Sequence, residues 1–308
     1  MRLLEDSTTS MDSLKRKQEI IRDRVRAVVH GYSTGFYLYG RPGTSKTHTV
    51  RESLETLNAP YQYTSGYLTP AALFDVIEEH PSKTLVLDDV SAVFSQPVAM
   101  QILLSALGRT PGERVVTYQT HKGRRSVRFW GGIIGISNIA LDGHQKEVLA
   151  ALKDRVNMLQ YDPTDDEMMA LISSIAARGL GEVPPDEAIM VAGVLRRECE
   201  ERGLRISVRL YVDKAIRDYQ MWKSGRSSTH WTDLVRSDLE QQLVELQHDV
   251  RDVSRQDAKE AEQRIAVEIA ETVEGRADRV AEWQSRTGKS EKSFYRRLKE
   301  ARTEGVLS

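Results

Sequence analysis

The chain has 308 residues, 40% of them hydrophobic, enough to bury a core in one large or two to three small domains without covalent staples. Its 44 basic and 45 acidic residues leave a formal charge of −1, so the total favours neither nucleic acid nor a membrane surface, and only local clustering can do so. A single cysteine, Cys199, excludes an internal disulfide, no apolar run reaches the length of a membrane span, and residues 1–10 lack the apolar core of a signal peptide; together these predict a cytoplasmic protein with no membrane partner.

Residues 11–31 place Leu14, Ile20, Ile21, Val25, Val28 and Val29 among charges, which predicts an amphipathic helix packed on the domain C-terminal to it. Gly35–Tyr39 reads as a buried strand. It runs into Gly40-Arg41-Pro42-Gly43-Thr44-Ser45-Lys46-Thr47 and then into a helix over residues 47–57. A strand, a flexible loop and a helix in that order aim backbone N–H groups and the positive helix end at one point, while Lys46 adds a charge and Thr47 a hydroxyl for Mg²⁺. The chemistry is triphosphate binding, with Ser45 standing where the pattern has its last glycine. Residues 61–64 form a short strand, and Thr69 and Pro70 are N-cap and first position of a helix through Glu79. Residues 84–87 are an apolar strand ending in Asp88-Asp89, one acid for Mg²⁺ and one for the attacking water. After a helix at Pro97–Leu107, the runs 114–120 and 124–129 flank His121-Lys122-Gly123 as a hairpin. An all-apolar strand over residues 132–136 then ends in Ser137-Asn138. Strands alternating with helices predict an α/β fold, a three-layer nucleotide domain whose mostly parallel sheet carries its ligand at the C-terminal strand ends.

Beyond Asp162-Pro163 the strands stop, and helices over residues 164–178, 185–202 and 207–222 predict a small all-α lid. A polar stretch at residues 224–229 precedes Leu239, Leu243, Leu246, Val250 and Val253, whose heptad spacing covers too few turns for a coiled coil and favours a helix packed on its own domain. The predicted organisation is an N-terminal helical segment (1–33), a nucleotide-binding domain (34–162, hairpin at about 114–129), a helical lid (163–224) and a helical C-terminal region (225–308).

These residues collectively resemble the AAA+ ATPase family over about residues 11–222. Gly40 to Thr47 looks like its Walker A element, Leu85 to Asp89 like Walker B, and Asn138 like sensor 1. Ala151-Leu152-Lys153-Asp154-Arg155-Val156 resembles the segment that bears the arginine finger, which makes Arg155 that residue, acting on a neighbouring subunit's nucleotide. Ser207-Val208-Arg209 resembles the sensor 2 region, with Arg209 the candidate and Arg205 close by. The resemblance implies ATP and Mg²⁺ as ligands, ATP hydrolysis, and a homo-oligomeric ring or open ring. Asp89 departs from the family's usual glutamate, so its carboxylate reaches one methylene less far.

Two basic concentrations lie outside the loop. Between Arg114 and Arg128 there are five basic residues (Arg114, Lys122, Arg124, Arg125, Arg128) and no acid, either a surface for nucleic acid or a partner, or charges that keep an edge from aggregating. From Arg286 to Arg302 there are seven Lys or Arg against two Glu, in a pattern that resembles a helix-turn-helix over residues 278–302. Ser290 would cap its second helix, Trp283, Phe294 and Leu298 would be buried, and Lys289, Lys292, Arg296, Arg297 and Lys299 would face phosphates. The favoured reading is an AAA+ ATPase driving a DNA-associated process as a motor, loader or remodeller of a DNA–protein complex. The alternatives are a remodeller of protein complexes, with Gly66-Tyr67-Leu68 as an aromatic pore loop and a protein partner, or a slow or non-hydrolysing nucleotide-dependent switch.

Overall fold

Short apolar runs bounded by glycine, proline and acids form the sheet of this protein: β1 (Gly35–Tyr39), β2 (Tyr61–Ser65), β3 (Thr84–Asp88), β6 (Ile133–Ser137) and β7 (Asn157–Gln160). The computed structural model describes residues 2–90, 93, 96–109, 111–120, 123–141 and 146–303. These fall into two compact units, Met1–Val235 and Arg236–Ser308.

In the first unit the five strands pair in the order β2-β3-β6-β1-β7, every pairing parallel. Side chains alternate across the strands, so Phe36, Leu38, Val86, Ile134 and Ile136 fill one face while Tyr37, Leu85, Leu87 and Ile133 fill the other. The first face is covered by α1 (Arg2–Val29) through Leu14, Ile21, Val25 and Val28, and by α2 (Lys46–Thr56) through Val50 and Leu54. The second is covered by α3 (Pro70–Glu79), α4 (Pro97–Leu107), the antiparallel hairpin β4–β5 (Arg114–Thr120, Gly123–Phe129) and α5 (Lys146–Lys153). Both faces are buried, which is why β1, β3 and β6 are apolar through most of their length rather than alternating with polar residues.

Local chemistry sets several boundaries as expected. Thr69 accepts the Ala72 amide at 3.2 Å with Pro70 at the first helical position, and α4 stops where Gly108 takes φ 56°. The structure adds β7, which the sequence reading passed over. Its side chains are half-buried or exposed and Asn157 and Gln160 close it, so it carries little apolar signal, and it pairs because β1 offers a free edge.

The lid contains α6 (Asp165–Ala176), α7 (Pro185–Arg202) and α8 (Ile216–Lys223). The third expected helix is not continuous: Leu210–Ala215 is a π-helical turn that leads into α8. The widened turn seats fully buried Tyr211, whose hydroxyl donates to Ala188 O at 2.8 Å. Such an inserted turn leaves no trace in an apolar period, and π turns are frequent at functional sites.

Helix α1 is tied to the lid by Glu167. This acid closes a capping box with Thr164 on α6 and accepts Ser13 Oγ at 2.7 Å and Lys17 Nζ at 2.6 Å. Burial works to raise its pKa, but the bonds from Lys17, Ser13 and the Thr164 amide outweigh it and hold the carboxyl below its ordinary value. Glu167→Ala is expected to cost about 2–3 kcal/mol, the loss of a cap plus a pair whose lysine is partly solvated. Because a depressed carboxylate contributes only while ionised, wild type and variant should converge as pH falls below about 4. Urea denaturation at neutral and acid pH measures both.

The second unit consists of the remainder of α9 (Trp231–Thr272), α10 (Arg276–Thr287) and α11 (Glu291–Thr303). Ala266, Ile269, Trp283 and Phe294 form its core, with Leu298 against them, and Trp283 Nε1 donates to Ser293 Oγ at 3.0 Å. Gly288 ends α10 in the left-handed region, φ 68°, as a helix C-terminus prefers. Of the heptad-spaced set, Leu239 is buried, Leu243 half-buried and Leu246 exposed; the side chains of Val250 and Val253 lie outside the described residues. Among the described residues no helix is long and apolar enough to cross a membrane.

Candidate nucleotide site

The loop between β1 and α2 borders a cavity of about 510 Å³ at the C-terminal end of the sheet. Gly40 takes φ 153° and Gly43 φ 72°. A Cβ on Gly40 would meet Tyr161 O at 2.0 Å, so the loop can leave β1 beside β7 only at a residue without a side chain. Ser45 occupies the last glycine position and adopts the left-handed conformation, φ 66°, with its hydroxyl donating to Thr44 O at 2.5 Å. The backbone there is the one a glycine would take, held by serine at a strain of about 1–3 kcal/mol.

Lys46 starts α2 and is buried; Nζ donates to Gly40 O and Arg41 O, each at 2.7 Å, and to Asn138 Oδ1 at 3.2 Å. Burial pushes its pKa down to about 8 against the opposing pull of Asp89 and Asp88. Asn138, just beyond the end of β6, turns its amide nitrogen to both oxygens of Asp89, at 3.2 and 3.4 Å. One amide thereby spans the lysine and the second acid. Asp89 itself sits at φ 52°, a left-handed position that aspartate tolerates, with its N–H continuing the sheet to Ile136 O at 2.9 Å.

Thr47 Oγ1 donates to Asp88 Oδ2 at 2.8 Å, which sets a hydroxyl and a carboxylate side by side. These are oxygen donors next to a phosphate loop, the set that suits Mg²⁺ shared with phosphate groups, so Thr47 and Asp88 are the residues that would hold it. The lid closes the cavity from the other side. Val208 N–H donates to Gly43 O at 3.0 Å, and Arg209 lines the cavity with its Cβ just 3.1 Å from where a Gly43 Cβ would stand.

The predicted site residues therefore divide. Gly43, Thr44, Ser45, Lys46, Thr47, Asp88, Asp89, Asn138 and Arg209 border the cavity. Arg41 turns away, donating to Pro163 O at 2.9 Å and Asp165 Oδ1 at 3.1 Å, and Arg205 joins the same cluster through Asp162 and Pro163 O. Gly40 and Pro42 shape the loop. Arg155 lies elsewhere, its guanidinium donating to Leu104 O at 2.9 Å. Sequence reasoning missed Gln18 and Arg22 of α1, Leu171 and Arg178 at the lid and Asp213 of the π turn, all of which line the cavity, and also Tyr63, which donates to Asp88. Only the helical period of α1 hinted at any of them, and it speaks of packing rather than of ligands.

A phosphate loop after β1, paired acids where β3 ends, an amide beyond β6 and a helical lid following β7 make up one arrangement. This is the arrangement that the resemblance to the AAA+ ATPases led us to expect. No protein-family model and no curated protein sequence matches the chain. Among solved structures it is similar to a variant of Thermotoga maritima RuvB (17% identity, 75% of this chain and 69% of that one, TM-score 0.45). It is also similar to the Aeropyrum pernix Orc1 protein in complex with DNA (12%, 95% and 83%, TM-score 0.46) and to the Aeropyrum pernix Orc2 protein (13%, 96% and 86%, TM-score 0.44). At these identities and TM-scores, none of these likenesses transfers a fold assignment, an activity or a partner to this chain.

Several residues of the two basic regions are engaged within the fold. In the hairpin, Arg114 is buried over Phe129 and donates to Gly131 O, and Arg125 is held on α3 by Asp75 at 2.9 Å, by Glu78 and by the Phe74 ring. Arg128 lies 3.6 Å from Glu113, Arg124 is exposed, and Lys122 lies outside the described residues. In the tail, Arg297 has a side chain only 12% exposed between Glu262 and Glu300, and Lys289 also pairs with Glu262. Lys292 and Arg296 are exposed on α11. Arg125, Lys289 and Arg297 are therefore engaged in ion pairs with acids of their own units.

Proposed function

We propose that this chain is an ATP-hydrolysing AAA+ ATPase that works as a homo-oligomer in a DNA-associated process. The observation that carries the reading is the run of contacts Lys46–Asn138–Asp89 beside Thr47–Asp88 at one cavity edge. The α2 N-terminus and Lys46 would bind the β- and γ-phosphates, with Lys46 exchanging loop carbonyl groups for phosphate oxygens. Mg²⁺, when bound by Thr47 and Asp88, supplies neutralisation of the phosphate charge. Asp89, oriented by Asn138, would accept a proton from the attacking water, and Arg209 would report the nucleotide state to the lid. Arg155 would act on a neighbouring subunit's nucleotide after exchanging Leu104 O for phosphate.

Steady-state hydrolysis with and without single- and double-stranded DNA, with Lys46→Ala as blank, tests the reading. Turnover that depends on Lys46 and rises with DNA supports it; turnover indifferent to DNA removes the DNA role. A second reading, a nucleotide-dependent switch, is favoured by the short arm of Asp89, since a misplacement of about 1 Å can cost about 10²-fold in rate. ATP binding with turnover at the blank would select it.

The DNA role rests on Lys292 and Arg296, two exposed basic residues of α11. Replacing both by alanine is expected to weaken duplex binding and to lower the slope of log affinity against log salt by about 2, one contact each. Arg297→Ala should instead lower stability, because it leaves Glu262 and Glu300 short of a partner. Salt-dependent fluorescence anisotropy separates the two.

A further inference from the structure

Asp88 is held by more than the phosphate loop. Tyr63 lies on β2, which pairs with β3 in the register Tyr63↔Val86 and Ser65↔Asp88. From there its phenol reaches the end of the neighbouring strand and donates to Asp88 Oδ2 at 2.6 Å, the same oxygen that accepts Thr47 Oγ1 at 2.8 Å. With both bonds on Oδ2, the other oxygen, Oδ1, has no hydrogen-bond donor among the described residues. Arg51, on the helix that the loop opens, lies over the Tyr63 ring at 5.3 Å from its centre and limits how the ring can swing.

We propose that Tyr63 is a positioning residue for the divalent cation: its hydroxyl pins Asp88 by one oxygen so that the other is presented to the metal. The proposal rests on the reading of the cavity as a nucleotide site. Thr47 serves two purposes there, since its hydroxyl is itself a metal ligand, whereas Tyr63 has only the task of holding the carboxylate. Hydrogen-bonding partners of metal ligands characteristically govern affinity by 10–100-fold.

The test uses the full chain with a non-hydrolysable ATP analogue and Mn²⁺ as the probe, with free Mn²⁺ followed by electron paramagnetic resonance. Tyr63→Phe keeps the ring and removes the hydroxyl. Tyr61→Phe, two residues earlier on the same face of β2, is the control, because the Tyr61 hydroxyl is 3.5 Å from the exposed Glu55. Tyr63→Phe is expected to weaken Mn²⁺ binding about tenfold or more. Tyr61→Phe should leave it unchanged, and both should bind the analogue as wild type does in excess EDTA. Wild-type Mn²⁺ affinity in Tyr63→Phe overturns the proposal, as does an equal loss of analogue affinity in EDTA, which would make the tyrosine a support of the fold. A wild-type protein that binds no analogue removes the nucleotide reading itself and this proposal with it.

Discussion

Lys46→Ala is expected to reduce ATP turnover at least about 10²–10³-fold, the loss typical when one preorganised charge or donor is removed from a reacting centre. The empty protein should tolerate the change. Lys46 is buried and its pKa is pushed down to about 8, so the fold carries a desolvation cost for that ammonium which alanine relieves. Against this stand the lost bonds to Gly40 O, Arg41 O and Asn138 Oδ1. These terms oppose each other, so the melting temperature without nucleotide should move by only a few degrees. With nucleotide the two proteins should diverge: wild type gains stability as the ligand exceeds its Kd, about 2.7 kcal/mol at a hundredfold excess, and the variant gains little. Thermal unfolding over an ATP titration, alongside steady-state turnover, measures both effects. Turnover at wild-type rates would place the chemistry somewhere other than this loop.

Gly40→Ala is expected to lower stability strongly, because the added methyl group meets both a backbone clash and a backbone conformation unsuited to a side chain. The backbone there has φ 153°, which side-chain-bearing residues rarely adopt, and the new Cβ would lie 2.0 Å from Tyr161 O and 2.9 Å from its carbonyl carbon. Both obstacles are backbone, so no rotamer change relieves them; β1 and the segment after β7 must separate where Tyr161 N–H donates to Tyr39 O at 2.7 Å. Strain at such a position costs about 1–3 kcal/mol, and the overlap and the disturbed sheet bond add to it, for a total of about 4 kcal/mol or more. Urea denaturation and soluble yield give the answer. Gly31→Ala is the control, since Gly31 also has positive φ, 71°, but nothing lies within 4 Å of its added Cβ. Gly31→Ala should show the conformational strain alone.

Much of the site was legible because its chemistry is carried by adjacent residues. Lys46 and Thr47 follow one loop, and Asp88 and Asp89 end one strand, so residue type and order suffice to place them at a strand end. The same locality made β1, β3 and β6 readable as buried parallel strands and Thr69-Pro70 as a helix start. Contacts between distant segments were not readable. That Ser45 is a substitute at a glycine position was readable, but not that its backbone adopts the glycine conformation. The basic residues of the hairpin and tail looked free because their acids are remote in sequence: Asp75 and Glu78 for Arg125, Glu262 for Lys289 and Arg297.

The sequence by itself therefore determined the α/β alternation, the phosphate loop and the residues that meet at its edge, since each depends on short-range periodicity or on neighbours along one strand or turn. The tertiary structure alone decided the strand order, the place of β7, the π turn that brings Arg209 and Asp213 to the cavity, the hold of Tyr63 on Asp88 and which arginines are spent in ion pairs. Those features depend on which surfaces meet when the layers pack, and packing brings together residues whose separation along the chain leaves no periodic signal.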